Sequence, residues 1–81
     1  MLTIKEAIVV DTEILGGTPV FQGTRVAINT LFDYLKVSSL ADFLEGFPTV
    51  SREQADTAIE FVATLIQTVS FDYESAARRK Y

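Results

Sequence analysis

Acidic residues are the first place to look for chemistry in this chain. Asp56 and Glu60 stand four residues apart, one helical turn, while Asp33 and Asp42 fall in other segments. A metal-dependent nuclease needs several carboxylates converging on hard cations. No spacing here fixes such convergence, and solvated helix faces account for these residues. The serines and threonines fall mostly at candidate caps and turns, with no base beside them to activate a hydroxyl. Cysteine and histidine are both absent, which excludes thiolate chemistry, the usual zinc sites and imidazole acid–base catalysis. Gly16, Gly17 and Gly23 invite comparison with a phosphate loop. Yet the Gly-Lys-Ser/Thr ending is missing, and the segment does not open onto a strand-to-helix turn of the right length. The residues point away from an enzyme, with no metal and no cofactor expected.

The elements that must position whatever remains belong to one small domain of 81 residues. We divide it into a β element (1–26), a three-helix core (27–70) and a C-terminal tail (71–81). A chain this short buries only about 60% of its unfolded surface and gains much from a partner. Hydrophobic residues make up 48% of it, more than so small a core hides easily, which predicts an exposed patch used for association. Net charge is −4, against the basic balance of an autonomous nucleic-acid binder. The N-terminus lacks a secretory pattern and no run suits a membrane span, so the expected location is cytoplasmic.

Leu15 to Val26 concentrates three glycines, Pro19 and Arg25 in one short stretch. Before it, the β-branched run Ile8 to Val10 predicts a strand, and Asp11-Thr12 a turn start. Pro19-Val20-Phe21 is extended, with Gln22-Gly23 as a two-residue hairpin loop into Thr24-Arg25-Val26. A first helix is expected from Ala27 to Lys36, its apolar face formed by Ile28, Leu31, Phe32 and Leu35. A second opens at Ser39, with Asp42 three residues on, and stops at Pro48. The third has Ser51 as N-cap and Gln54 completing a capping box, and Val50 staples onto Ala55. Its apolar stripe continues through Ala58, Ile59, Val62, Leu65, Ile66 and Val69. That is longer than the neighbouring helices can cover, so its C-terminal half should pack on a second subunit or on the tail.

A short second helix, a tight Pro-containing connection and a longer capped third helix make a possible helix-turn-helix, with the first helix as support; the alternative is a plain three-helix core. In the first reading the opening turn of the third helix exposes Arg52, Glu53, Asp56 and Thr57. One arginine beside two acids is a poor groove reader. The tail mixes Phe71, Tyr73 and Tyr81 with Arg78-Arg79-Lys80, and a helix could extend from Tyr73 to Arg79. A frayed terminus is the favoured reading and an arm that orders on a partner the sharper one.

The segment Gly17-Thr18-Pro19-Val20-Phe21-Gln22-Gly23-Thr24-Arg25-Val26, followed by Phe43-Leu44-Glu45-Gly46-Phe47-Pro48-Thr49-Val50-Ser51, resembles the domain of unknown function 433 family over residues 7 to 66. The resemblance implies a mainly α, homeodomain-like or winged-helix-like three-helix fold with an N-terminal β element, often dimeric. It also implies a VapB-type antitoxin that neutralises a PIN-like ribonuclease toxin and represses its own operon. Where the family often has glycine after the first helix, this chain has Val37.

These readings set the expectations. Arg25, Arg52 and Thr57 are the candidate DNA contacts; Phe71, Tyr73, Arg78, Arg79 and Lys80 are the candidate partner contacts. Arg25 is expected first as a brace for the hairpin and second as a ligand for phosphate or an acidic site, in a ratio of roughly two to one. The chain reads as an antitoxin-like protein, homodimeric through its β element or its third helix. Its apolar surface and its tail would cover a basic or nucleic-acid-binding partner, a toxin-like protein, with operator DNA bound in complex. A DNA-binding helix-turn-helix regulator and a structural dimerisation module are the alternatives.

Overall fold

The computed structural model describes the backbone of residues 2–78 and the side chains of residues 2–68, and the chain is mainly helical with one short antiparallel strand pair. Its first element is one that the following β-branched run conceals. Thr3 is extended and caps a single turn, α1 (Ile4–Ala7): its hydroxyl accepts from the Glu6 N–H, and the Glu6 carboxylate accepts from the Thr3 N–H at 2.9 Å. These reciprocal bonds satisfy donors that a helix start leaves open. Strand β1 (Ile8–Val9) follows and pairs with β2 (Val20–Phe21), placing Ile8 opposite Phe21 and Val9 opposite Val20.

The link between the strands turns twice. The Asp11 carboxylate accepts the Glu13 N–H at 2.9 Å, which makes the expected turn start. Leu15, Gly16 and Gly17 then form a tight turn with φ of 49°, 65° and 92°. Glycine reaches such angles freely, whereas Leu15 carries a Cβ that makes them cost about 1 kcal/mol.

Helix α2 (Ile28–Leu35) has no side-chain cap at Ala27; the Ile28 N–H instead donates to the Pro19 carbonyl at 3.0 Å. The strand segment therefore supplies an acceptor that the helix sequence lacks. Leu31 is buried, with Ile28, Phe32 and Leu35 packed beside the core, as the spacing predicts. Val37 needs no left-handed backbone: its N–H and that of Ser38 both donate to the Tyr34 carbonyl, and Leu15 is the one non-glycine with positive φ among the described residues. Helix α3 (Leu40–Gly46) carries both capping-box bonds between Ser39 and Asp42. A turn closed by the Val50 N–H on the Phe47 carbonyl then uses Pro48 at the position its fixed φ favours.

Helix α4 (Arg52–Arg78) spans 27 residues without a break and takes in the backbone of Tyr73 to Arg78. The core lies on its first third, where Ala55 and Ala58 join Phe21, Leu31, Phe43 and Val50. Phe43 is the hub. Its ring lies 4.9 Å from Phe47, 5.8 Å from Tyr34 and 6.2 Å from Phe21, within the range in which aromatic rings attract.

Candidate functional site

The turn at Phe21 to Val26 joins every layer of the molecule. The Phe21 carbonyl accepts both the Thr24 N–H (3.0 Å) and the Thr24 hydroxyl (2.9 Å). That hydroxyl in turn accepts from the Val26 N–H at 3.0 Å, and the Phe21 N–H closes onto the Val26 carbonyl at 3.0 Å. Gly23, at φ +79°, takes the position of this turn that requires a positive angle. Gln22-Gly23 is thus the turn that the sequence predicts. The strand beyond it does not form: Thr24 bonds its own turn, and the remaining pairing is one bridge, Val20 to Ala27.

Gln22 is held from both sides. Its N–H donates to the Ala7 carbonyl at 2.8 Å, and its carbonyl accepts Gln54 Nε2 at 2.9 Å. Gln54 is a buried side chain whose other end accepts from the Ser51 N–H at 2.9 Å. One amide therefore caps α4 and fastens it to the signature turn. The capping box made Gln54 visible in the sequence. Its second bond spans 32 residues, and no local pattern announces that.

Arg25 departs from expectation. Its side chain is exposed and, among the described residues, has no ion pair or hydrogen bond. The brace is Thr24, one residue earlier. Arg25 edges a shallow cleft lined by Asp11, Gln22, Gly23, Thr24 and Thr49. Thr57 corrects a second expectation. It is 6% exposed, and its hydroxyl faces the Leu2 carbonyl at 3.5 Å, because α1 packs over this side of α4. It is therefore absent from the face that Arg52, Glu53 and Asp56 present to solvent. Phe71, Tyr73 and Arg78 lie on the α4 backbone with side chains outside the described residues, and Arg79 and Lys80 lie outside them altogether.

Charge on the described surface is lopsided. Between Leu2 and Thr68 there are four cations, Lys5, Arg25, Lys36 and Arg52, against nine carboxylates. Asp42 and Glu45 on α3, with Glu53 and Asp56 on α4, are all exposed. Lys36 pairs with Asp33 at 3.5 Å on the open surface, an interaction worth little. Glu6 is held below its ordinary value by the Thr3 N–H first and the Thr3 hydroxyl second. Among the described residues no cluster of acidic side chains could hold a metal ion, and no helix is long and apolar enough to cross a membrane.

A second surface is apolar. Ile4, Ile8, Val10, Ile28, Phe32 and Phe61 border a groove of about 430 Å³ between α1, β1, α2 and α4. Past the groove, α4 leaves the body with Leu65 and Ile66 about half exposed.

Comparison with known proteins places the chain by family. The model of a family described as a protein of unknown function, DUF433, matches residues 8–62, a span that includes the signature turn, α2, α3 and the packed part of α4. No curated protein and no solved structure matches the chain.

Proposed function

Since this chain belongs to the DUF433 family, we propose that it is an antitoxin-like protein that binds and neutralises a PIN-like ribonuclease toxin and represses the operon encoding both. The observation that carries this reading is the excess of exposed carboxylates over cations, with Asp42 and Glu45 on α3 and Glu53 and Asp56 at the start of α4. A protein built to bind RNA presents cations, and a carboxylate surface complements them, speeding encounter and selecting the partner. Stoichiometric masking needs no nucleophile, general base or metal in the masking protein. In this reading α2, α3 and α4 form the homeodomain-like or winged-helix-like unit, with the α3–α4 pair as its helix-turn-helix.

The DNA-binding regulator is the second reading, and the exposed, unpartnered guanidinium of Arg25 favours it, with Arg52 as the other candidate contact. Glu53 and Asp56 beside Arg52 oppose phosphate binding by the free protein. Operator binding is therefore assigned to the complex, in which the partner's cations offset these acids.

The test is co-expression with the product of the adjacent gene, followed by co-purification. A stable complex that weakens when Asp42 and Glu45 are both changed to Lys supports the proposal. Failure to form any complex with a toxin-like neighbour contradicts it. Tight binding of the free protein to its own promoter at physiological salt would favour the regulator instead.

A further inference from the structure

The helix start that a helix-turn-helix lays against DNA is poorly equipped for it here. Thr57 is buried under α1, and Arg52 stands beside Glu53 and Asp56. The signature turn is the opposite case: its backbone is fastened from several sides while its polar side chains are left unused. The Gln22 N–H and carbonyl are taken by Ala7 and Gln54, and Thr24 bonds Phe21 and Val26. Yet the Gln22 side-chain amide, the Arg25 guanidinium and the Thr49 hydroxyl are exposed and, among the described residues, make no hydrogen bond or ion pair. All three edge one open cleft of about 630 Å³, together with the half-buried Asp11. Arg25 and Asp11 do not pair with each other, so both charges remain available. A rigid backbone that holds out groups its own fold does not use is preorganised to bind.

The mix of groups selects the ligand. A phosphate is held by cations, and Asp11 in the same cleft repels it. The edges of base pairs instead present donors and acceptors side by side. Arginine matches the O6 and N7 acceptors of guanine, glutamine matches N6 and N7 of adenine, and a carboxylate accepts from N4 of cytosine. On the premise that the chain and its partner bind their operator, we propose that this cleft reads base sequence in duplex DNA, with Arg25 and Gln22 as the specificity-determining side chains in place of the start of α4. A chain of net charge −4 draws little affinity from the phosphate backbone. The partner's cations supply the affinity, and the cleft supplies the choice of sequence.

The test titrates a fragment of the chain's own promoter, and a random duplex of equal length, with the chain alone and with the product of the adjacent gene. Fluorescence anisotropy at several salt concentrations gives both affinities, and their ratio measures sequence reading. Arg25→Ala should lower that ratio at least about tenfold and Gln22→Ala about fivefold, with binding to the random duplex unchanged. Lys36→Ala, which removes an equal charge from the C-cap of α2, should leave the ratio as it is. Circular dichroism reports whether each variant folds. If Arg25→Ala weakens binding to both duplexes alike and reduces the salt slope by about one, Arg25 is a phosphate contact and the proposal is overturned. An unchanged ratio overturns it as well, as does a fall seen with Arg52→Ala and not with Arg25→Ala. Loss of the partner complex in Arg25→Ala would make the cleft a protein contact and overturn it too. A wild-type protein that binds promoter no better than random DNA refutes operator binding itself, which separates that failure from a failure of the cleft alone.

Discussion

Helix α4 is one element in two surroundings. From Arg52 to Ile59 its inward residues are small and buried, Ala55 and Ala58 among them, and Gln54 and Thr57 are polar side chains whose bonds reach other parts of the molecule. From Phe61 to Thr68 it carries the large apolar residues Phe61, Val62, Leu65 and Ile66, all of them partly exposed. Here the side-chain bonds given by Thr64 and Thr68 are local, each hydroxyl donating to the carbonyl four residues back at 2.9 Å. Apolar periodicity runs through both halves alike. What differs is whether the described residues provide something to pack against: Ala55 and Ala58 lie in the core, while Leu65 and Ile66 are left about half exposed.

The contrast can be broken most severely in the packed region. Phe43→Ala removes the hub of the aromatic cluster and should cost about 3–5 kcal/mol in urea unfolding, a large share of the stability of a domain this small. Gln54→Ala should cost about 2 kcal/mol, because it removes the reciprocal cap and leaves the Gln22 carbonyl without its donor. Leu65→Ser, on the same helix, should change the unfolding free energy of the monomer by less than about 0.5 kcal/mol. Equal losses for these two would mean that the halves of α4 are not distinct. Gly23→Ala comes next, at about 1 kcal/mol: nothing lies within 4 Å of the added Cβ, so the cost is that of φ +79° alone.

The smallest effect belongs to Glu6. Its pKa is lowered on folding, so its contribution is present above its ordinary value of 4.5 and is lost as pH falls through the lowered folded value. An NMR titration of the Glu6 carboxylate should place its midpoint below 4.5. Glu6→Gln should keep the capping box and remove that pH dependence. A midpoint at or above the ordinary value would contradict the box.

Helices were readable where local chemistry decides them. Ser39 with Asp42 and Ser51 with Gln54 mark starts that the structure reproduces bond for bond. Thr3 with Glu6 follows the same pattern, but the single turn it caps runs straight into Ile8-Val9, and the β-branched run masked it. The pairing of β1 with β2 spans the Asp11 and Gly16-Gly17 turns and depends on tertiary packing, so a hairpin at Gln22-Gly23 read more naturally from sequence alone. Thr57 was assigned to the outer face for a related reason. Helical phase places it beside Arg52 and Asp56 only until α1, itself unseen, is laid across it. The acidic balance and the surplus of apolar residues were open to view in composition. Their separation onto different surfaces was not, because it depends on where α4 leaves the body.

The most direct measurement is hydrogen exchange along α4 at two protein concentrations. In this account the amides of Ala55 to Ile59 are protected equally at both, since the core that covers them lies within one molecule. Those of Val62 to Thr68 should exchange rapidly when the protein is dilute and slow markedly when it is concentrated. Protection of the distal half that is identical at both concentrations would contradict the expectation that this half packs on a second subunit.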